Sequence, residues 1–512
     1  MPLMGKHSRY FDNHYIQDTS DFLRLRTQVY NHPENLVDTF LSRAVTLLHA
    51  CSENSMRLLS VASGSPTRSR DLRRLGLKLY NGELAGFGYA LHRIARTLSI
   101  IRSEITFSEM LSSTLKSIGE IHCGFHVNEH DLKSKQNWAS PDVDTPDPLV
   151  QLMTINQAVN HCEALSNKVM KLCIGACNRI APEHDELASL PTLNTFLESD
   201  LGSRSFLHRL MQPAYEEHPT QIANHPFESG FRSAIEATIK VASAPDRDAN
   251  NELLYGRAGV LYTLLFLYKH CHDYDYDHAV ADLCRCILAS GAILARHNET
   301  RFPVYYEWHG SDYLGAAHGL AGILYVLLQV DTRDDDLNRQ IESVTVQSVQ
   351  LMLSSLQMRS GNFPTKLRAS RLGDSDSLVQ WCHGSPGVVA LLCRIRKSGS
   401  DLERPLTAAI NRALDDIWCR GLLRKGVGLC HGIAGNGYAF LRDPGPNIDR
   451  KLLLVKAVAF AEIGWAKMDD LFAVPDNPFS LYEGIAGFVC YLLDIVLALH
   501  DKPILGIPGY DL

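Results

Sequence analysis

The sequence predicts an all-α protein whose helices pair to form a closed ring, an (α/α)7 toroid. Three observations indicate this fold: a Gly-x-x-Gly phrase that recurs along the 512-residue chain, an apolar run after each copy, and the near absence of strand patterns. A phrase that recurs at a regular spacing is typical of repeat architectures, in which each repeat packs against its neighbours. The spacing here leaves room in each repeat for two helices and their loops.

Five clear copies of the phrase lie in the second half of the chain. Their first glycines follow one another at intervals of 63, 65, 48 and 52 residues: Gly256, Gly319, Gly384, Gly432 and Gly484. Two weaker copies lie upstream. In one, Gly82 and Gly86 are one residue too far apart, and the other keeps only the second glycine, Gly202. Seven copies predict seven inner helices and seven outer ones.

The two layers differ in their apolar pattern. The run after each phrase is nearly continuous, which predicts an inner helix that is buried on all sides. The segments between the copies, such as residues 338–357, have apolar residues at i, i+3 and i+4, which favours an outer helix with one packed face. The paired glycines allow tight turns and close approach, so we expect the inner helices to begin together at one mouth of the ring.

We predict that residues 1–512 form one domain, with an insertion at about 105–165 in the first repeat. Gly86 and Gly202 are 116 residues apart, about twice the interval between the other copies, so that about 60 residues are additional. Within this segment, residues 134–148 are rich in Pro, Asp and Ser, which is typical of an exposed loop.

The composition argues against several classes of protein. A net charge of −7, without a long Lys/Arg run, gives no sign of nucleic-acid binding. The most apolar stretch, residues 485–500, is interrupted by Asp494 and is too short to cross a bilayer. No secretory apolar segment follows Met1, and the 13 cysteines are an odd number without the spacing of a disulfide scaffold. We therefore expect a cytoplasmic protein with reduced thiols and no transmembrane segment.

The residues just before each Gly-x-x-Gly carry the chemistry, because helices that begin at one mouth present these positions to a common cavity. The positions hold Tyr255, His318, Cys382 with His383, Cys430 with His431, and Glu483. Two thiols and one imidazole predict one zinc ion per chain, bound by Cys382, Cys430 and His431. Three protein ligands are typical of catalytic zinc, which keeps a fourth position open. The alternative is that these side chains are satisfied members of the core.

Five of the phrases resemble the motifs of the LanC-like family, which comprises the bacterial lanthionine cyclases and their eukaryotic relatives. They are NELLYGRAG (251–259), GAAHGLAG (315–322), WCHGSPG (381–387), GLCHGIAGN (428–436) and PFSLYEGIAG (478–487). The resemblance is strong over about 190–512 and weak over 1–100, and His383 is similar to the eukaryotic branch. It implies an (α/α)7 toroid, zinc on the same three ligands, and addition of a thiol to dehydroalanine or dehydrobutyrine. In the eukaryotic branch the thiol is glutathione and the acceptor is a damaged protein.

This chemistry suggests a role for four further residues. Attack of a thiolate on the β-carbon places enolate charge on the acceptor, and an acid must then protonate its α-carbon. We choose His318 as that acid, because imidazole groups titrate near neutral pH. His383 and Arg257 are candidates to stabilise the enolate oxygen. Glu252 is a candidate to accept a proton or to orient an imidazole ring.

Glutathione carries two carboxylates, so basic groups are expected in its pocket. Lys425 matches the family's glutathione-contacting lysine, and Arg9, in RYFDNHY (9–15), matches its N-terminal arginine. The chain departs from the family at one position, because relatives carry an arginine where this sequence has Ala473, two residues before Pro475. The resemblance therefore implies one carboxylate contact fewer.

Two other functions are compatible with a toroid that binds zinc. The first is a non-catalytic adaptor that binds glutathione or a protein partner and keeps zinc for structure. The second is a prenyltransferase-type enzyme, which predicts an aromatic-lined cavity and an Asp ligand, and the helix-start positions lack both. The expected partners are glutathione and a protein or peptide that contains a dehydroamino acid, while a signalling partner is a further alternative.

Overall fold

A computed structural model describes eleven parts of the chain. They are residues 9–64, 78–102, 109–121, 154–180, 197–198, 204–210, 226–244, 250–271, 276–368, 376–396 and 403–512. Within these parts the regular structure is helical, and the extended pairing consists of isolated bridges without a strand. The all-α prediction is confirmed. Gly202 and the predicted loop at 134–148 lie outside the described residues.

The described helices, numbered in chain order, form an inner and an outer layer. The inner helices are α4 (Glu83–Ile101), α7 (204–210), α9 (Arg257–His270), α11 (Leu320–Leu327), α13 (Ser385–Ile395), α15 (Ile433–Gly437, continued as a 3-10 helix over Tyr438–Leu441) and α18 (Ile485–Leu499). The outer helices are α3 (Pro33–Gly64), α6 (Ile155–Ile180), α8 (Pro226–Ala242), α10 (Asp277–His297), α12 (Asp335–Ser355), α14 (Glu403–Arg420) and α16 (Arg450–Ala466). The remaining helices are α1 (His14–Gln17), α2 (Thr19–Asn31), α5 (Glu109–Gly119) and α17 (Met468–Phe472).

The repeated glycines start the inner helices, as the sequence predicts. Six inner helices have the first glycine of their phrase as N-cap: Gly82, Gly256, Gly319, Gly384, Gly432 and Gly484. Gly384 has a φ of 115°, a conformation that favours glycine. At Gly435, the second glycine of its phrase, a Cβ would overlap the carbonyl oxygen of Leu429. The chain can therefore fold back tightly at each helix start.

Burial separates the two layers in the expected way. Every residue of the inner helix α11 is buried, whereas the outer helix α12 buries Leu337, Ile341 and Thr345 on one face. One described helix, α10, is long and apolar enough to cross a membrane by length and composition alone. Half of its most apolar window is buried in the protein, and its exposed face carries an ion pair between Asp282 and Arg285 at 2.9 Å. This is the pattern of an outer helix packed on a ring.

The ring closes where the last inner helix, α18, packs against the first, α4. Arg93 of α4 donates a hydrogen bond to Asp494 of α18 at 2.7 Å and another to the carbonyl oxygen of Gly506 at 2.9 Å. The Tyr438 hydroxyl also donates to Asp494, at 2.9 Å. Breaking a buried charge pair is strongly unfavourable, so this contact fixes the first repeat against the last. It also explains why a carboxylate interrupts the apolar run at 485–500.

The C-terminal segment closes the ring at the ends of the inner helices that lie away from the glycine turns. Asp511 accepts hydrogen bonds from Arg442, which follows the 3-10 helix of repeat six, and from Tyr325 near the end of α11. Tyr510 is fully buried and its ring packs against Trp381, with 5.1 Å between ring centroids. The C-terminal segment thus contacts residues of repeats four, five and six.

The segment predicted as an insertion, 105–165, is packed where the structure describes it. Helix α5 packs against α3 and α6, and α6 packs along α4. Leu115 and Ile118 of α5 and Ala158 of α6 are fully buried. Residues 122–153 lie outside the described part. The single-domain prediction stays a prediction. Because α5 and α6 are buried, a segment that protrudes from the ring could lie only between these two helices.

Candidate metal centre and its surroundings

The three predicted zinc ligands lie together at the mouth of the ring. One donor atom from each of Cys382, Cys430 and His431 lies within 4.8 Å of the other two, and both cysteines are buried. The backbone holds the neighbouring repeats in place: the Cys382 N–H donates to the Cys430 carbonyl oxygen at 3.2 Å, and the Cys430 N–H donates to Tyr482 at 2.9 Å. Among the described residues, these three side chains are the one cluster of three or more His, Cys, Asp or Glu groups that could hold a metal ion.

The donor set fits zinc. Thiolate and imidazole are the ligands that zinc prefers, and two sulfurs with one nitrogen leave a position for a further ligand. The hydrogen bond with Cys382, and then burial, raise the pKa of Cys430 well above its ordinary value. Two buried thiols that face each other lose their protons readily when a cation binds between them. Deprotonation of the two buried thiols is therefore unfavourable without a cation and becomes favourable when a metal ion binds.

Each ligand sulfur has a further polar neighbour that the sequence reasoning missed. The Tyr80 hydroxyl donates to the Cys430 sulfur at 2.8 Å, and the Cys382 thiol donates to the side-chain oxygen of Gln380 at 3.4 Å. A signal for Tyr80 was present: it precedes Gly82 by two residues, as Cys430 precedes Gly432. It was overlooked because that copy of the phrase is irregular.

His318 is held beside the metal centre by a buried carboxylate. Its Nδ1 lies 2.8 Å from Oε2 of Glu252, which is 2% exposed. Glu252 also accepts the backbone N–H groups of Leu254, at 2.8 Å, and Tyr255. Because the loop fixes the carboxylate, and the carboxylate binds Nδ1, the orientation of the His318 ring is fixed. The predicted pairing of Glu252 with an imidazole is thus present in the structure.

Three aromatic side chains, Tyr255, Trp308 and Tyr313, form an aromatic wall around the histidines. Trp308 stacks on His318, with 3.9 Å between centroids and 3° between planes. Tyr313 lies 5.1 Å from the His383 ring. Trp308 and Tyr313 come from the loop between α10 and α11, outside the helix-start positions on which the sequence argument against an aromatic-lined cavity rested. The metal group itself contains no Asp.

His383 lies near both His318 and His431. Its ring centroid is 6.2 Å from that of His318, and its Nδ1 is buried without a hydrogen-bond partner. Burial, followed by the nearby charges of His318, His431 and Lys425, lowers its pKa to about 4. His383 is therefore neutral at physiological pH and can donate one N–H without competing as an acid.

Arg257 is placed differently from its predicted role. It is 2% exposed, and its guanidinium donates to the carbonyl oxygens of Ala242 at 2.7 Å and Ala244 at 2.5 Å. A third contact, at 3.4 Å, goes to the side chain of Asn251. These bonds satisfy the carbonyls at the end of α8. They assign Arg257 to the packing between repeats and speak against the predicted role at an enolate oxygen.

The N-terminal segment brings Arg9 to the loop that carries Lys425. Tyr10 pairs with Leu423 in an antiparallel bridge, and the Arg424 N–H donates to the Arg9 carbonyl oxygen at 3.0 Å. The side chains of Arg9 and Lys425 are both exposed. The two predicted glutathione contacts, far apart in sequence, thus lie on neighbouring segments at the mouth.

The Ala473 position faces the same loop. A Cβ on Gly426 would lie 3.5 Å from the ring of Pro475, so the two loops touch. Ala473 follows α17 directly and is exposed. An arginine at this exposed position would lie two residues from the contact between Pro475 and the loop that carries Lys425.

Comparison with known proteins agrees with this architecture. Residues 224–508, more than half of the chain, match the family model described as lanthionine synthetase C-like protein. This protein belongs to the LanC-like family. The LanC-like chain is 38% identical over 266 residues to a Danio rerio protein named glutathione S-transferase LANCL1, a match that spans 49% of this chain and 60% of that protein. It is 34% identical over 369 residues to LanC-like protein GCL1 of Arabidopsis thaliana, spanning 70% of this chain and 75% of the relative.

The LanC-like match begins after the first repeats. It therefore contains the three predicted metal ligands, His318 and Lys425, whereas Tyr80 and Arg9 lie before residue 224. Tyr80 and Arg9 are thus close to the site because of tertiary contacts made by residues outside the family match.

Proposed function

We propose that this LanC-like protein is a zinc-dependent transferase that adds glutathione to dehydroalanine or dehydrobutyrine residues of proteins or peptides. One observation carries the proposal: a Cys2His donor set lies at the same ring mouth as an imidazole bound to a buried carboxylate. The relative named as a glutathione S-transferase supports glutathione as the thiol.

Two groups of residues serve two steps of the reaction: one group produces the nucleophile and the other protonates the product. Zinc held by Cys382, Cys430 and His431 would supply a deprotonated thiol at neutral pH. The sulfur forms a bond to the β-carbon, and the electron pair of the carbon–carbon double bond moves to the α-carbon and its carbonyl oxygen. His318 then gives a proton to the α-carbon. The thiol proton passes to solvent and His318 regains a proton from solvent, so the addition has no net change in protons and needs no oxidant or reductant.

The buried carboxylate and the neutral histidine assist this proton transfer. Glu252 holds the His318 ring in place through its contact with Nδ1 at 2.8 Å. His383, kept neutral by its surroundings, is placed to donate an N–H to the carbonyl oxygen on which enolate charge develops. Arg257 has no part in this scheme.

The deciding experiment follows a peptide that contains one dehydroalanine, incubated with zinc-loaded protein and glutathione. We expect a mass increase of one glutathione per peptide, and a rate well above that of the buffer control. A protein that binds zinc and glutathione but leaves the peptide unchanged would contradict the enzyme and favour the non-catalytic adaptor.

Replacement of Lys425 with alanine should weaken glutathione binding rather than slow the chemistry. The Lys425 side chain is exposed, so its contact with a carboxylate is worth about 1 kcal/mol or less. We expect KM for glutathione to rise by about fivefold or less, with kcat close to the wild-type value. Lys451→Ala, an exposed lysine that lines a different cleft, is the control. A large fall in kcat without a change in KM would contradict a binding role.

The reverse change, Ala473→Arg, should strengthen glutathione binding. The new guanidinium would restore a basic group on the loop that contacts Gly426. Because Ala473 is exposed, the substitution should have little effect on the stability of the fold. A similar gain, about fivefold or less in Kd, is expected and can be measured by calorimetry at low salt. Ala473→Gln, of comparable length without the charge, should leave Kd unchanged. Unchanged affinity in the arginine variant would show that this loop does not face glutathione.

A further inference from the structure

The tyrosine that reaches the metal centre from the first repeat has no role in the scheme above. Its hydroxyl donates to the sulfur of Cys430 at 2.8 Å, and Cys430 is 4% exposed. A hydroxyl in contact with a ligand sulfur acts on the charge and direction of that ligand, even though it does not bind the metal itself.

The backbone fixes this contact from both sides. The Tyr80 N–H donates to Leu197 and its carbonyl oxygen accepts the Tyr482 N–H, both at 3.0 Å. Tyr482 in turn accepts the Cys430 N–H at 2.9 Å, and its ring stacks on that of Tyr80 with 4.8 Å between centroids. Because Tyr80 and Cys430 are bound to the same residue, the distance between hydroxyl and sulfur does not depend on a flexible loop.

The repeat explains why a hydroxyl stands there. Tyr80 is two residues before Gly82, Cys382 two before Gly384, and Cys430 two before Gly432. These positions are equivalent in the ring, and closure of the ring brings repeat one next to repeat seven, whose Tyr482 contacts both Tyr80 and Cys430. The first repeat thus presents a hydrogen-bond donor at the position where two later repeats present a thiol.

We propose that Tyr80 is a positioning residue of the metal centre, an inference that rests on the proposed function. Its hydrogen bond withdraws charge from the Cys430 thiolate and fixes the direction of its lone pairs. A site with two thiolates and one imidazole carries excess negative charge on sulfur, and a hydroxyl donor offsets part of it. A metal ion bound by Cys382, Cys430 and His431 would then be held more tightly, and its affinity for the sulfur of a further thiol would be higher.

The test compares Tyr80→Phe with Tyr482→Phe in the full chain. Tyr482 is the stacking partner, but its hydroxyl donates to the Pro508 carbonyl oxygen at 2.6 Å instead of to sulfur. Zinc affinity is measured by competition with a chromophoric chelator, and the cobalt(II)-loaded proteins are compared by their thiolate-to-metal charge-transfer absorption. We expect Tyr80→Phe to raise the zinc dissociation constant about 10–100-fold and to move the absorption to longer wavelength. Tyr482→Phe should keep the wild-type values.

The outcomes separate this inference from the proposed function. Wild-type protein that binds neither zinc nor cobalt would overturn the metal centre and the role of Tyr80 together. Wild-type protein that binds both, with Tyr80→Phe matching it in affinity and spectrum, would overturn the role of Tyr80 alone. Equal effects of the two variants, or a Tyr80→Phe chain that loses its helical circular dichroism, would also overturn it, because the tyrosine would then serve the aromatic stack or the fold.

Discussion

Replacement of Cys430 with alanine is expected to abolish zinc binding while the ring stays folded. The variant keeps one thiol and one imidazole, and it leaves the backbone bonds of Cys430 to Cys382 and Tyr482 in place. Inner helices α13 and α15 begin at Gly384 and Gly432 and do not depend on the metal for their start. Metal analysis should fall from about one zinc per chain to near zero, with unchanged helical circular dichroism.

Thermal unfolding gives a second readout of the same change. A ligand that binds only the folded state stabilises it by about 2.7 kcal/mol at 100 times its Kd. Added zinc should therefore raise the Tm of the metal-free wild-type protein and leave that of Cys430→Ala unchanged. Cys284→Ala, which removes a fully buried thiol from the outer helix α10, should respond to zinc like the wild type. Full zinc occupancy in Cys430→Ala would remove the ligand assignment.

The fold and the cluster of Cys382, Cys430 and His431 could be predicted because their signals are local and repeated. Each Gly-x-x-Gly requires a close backbone approach that other residues cannot make, so the phrase identifies a helix start wherever it occurs. Once the phase of the repeat is known, the residues two and one before the first glycine must meet at the mouth. That reasoning places Cys382, Cys430, His431 and His318 together without any knowledge of the packing.

Other parts of the site could not be predicted in this way, for different physical reasons. Trp308 and Tyr313 lie in a connecting loop outside the phase of the repeat, and their contact with the histidines arises only from tertiary packing. Arg257 occupies a helix-start position but turns toward the unpaired carbonyls at the end of α8. A basic residue near a site thus has two possible partners, and the sequence does not show which of them it contacts.

The second large effect is expected for His318→Ala. This variant should keep zinc and glutathione binding yet lose addition to the dehydroamino acid, because it removes the proton donor and none of the metal ligands. General acids and bases typically contribute about 10²–10⁴-fold to a rate, so kcat should fall within that range. Steady-state kinetics with a dehydroalanine peptide, together with metal analysis and glutathione titration of the same preparation, measure the three quantities separately.

Two further variants show whether the loss belongs to proton transfer. Glu252→Gln keeps a side-chain oxygen for Nδ1 but loses one of the two carboxylate acceptors that fix this contact, so its kcat should fall by less than that of His318→Ala. His297→Ala removes an exposed histidine at the end of α10 and should have wild-type kinetics. If His318→Ala keeps full turnover while it binds glutathione normally, His318 is not the proton donor. His383 would not be a ready substitute, because burial lowers its pKa to about 4 and leaves it neutral at physiological pH.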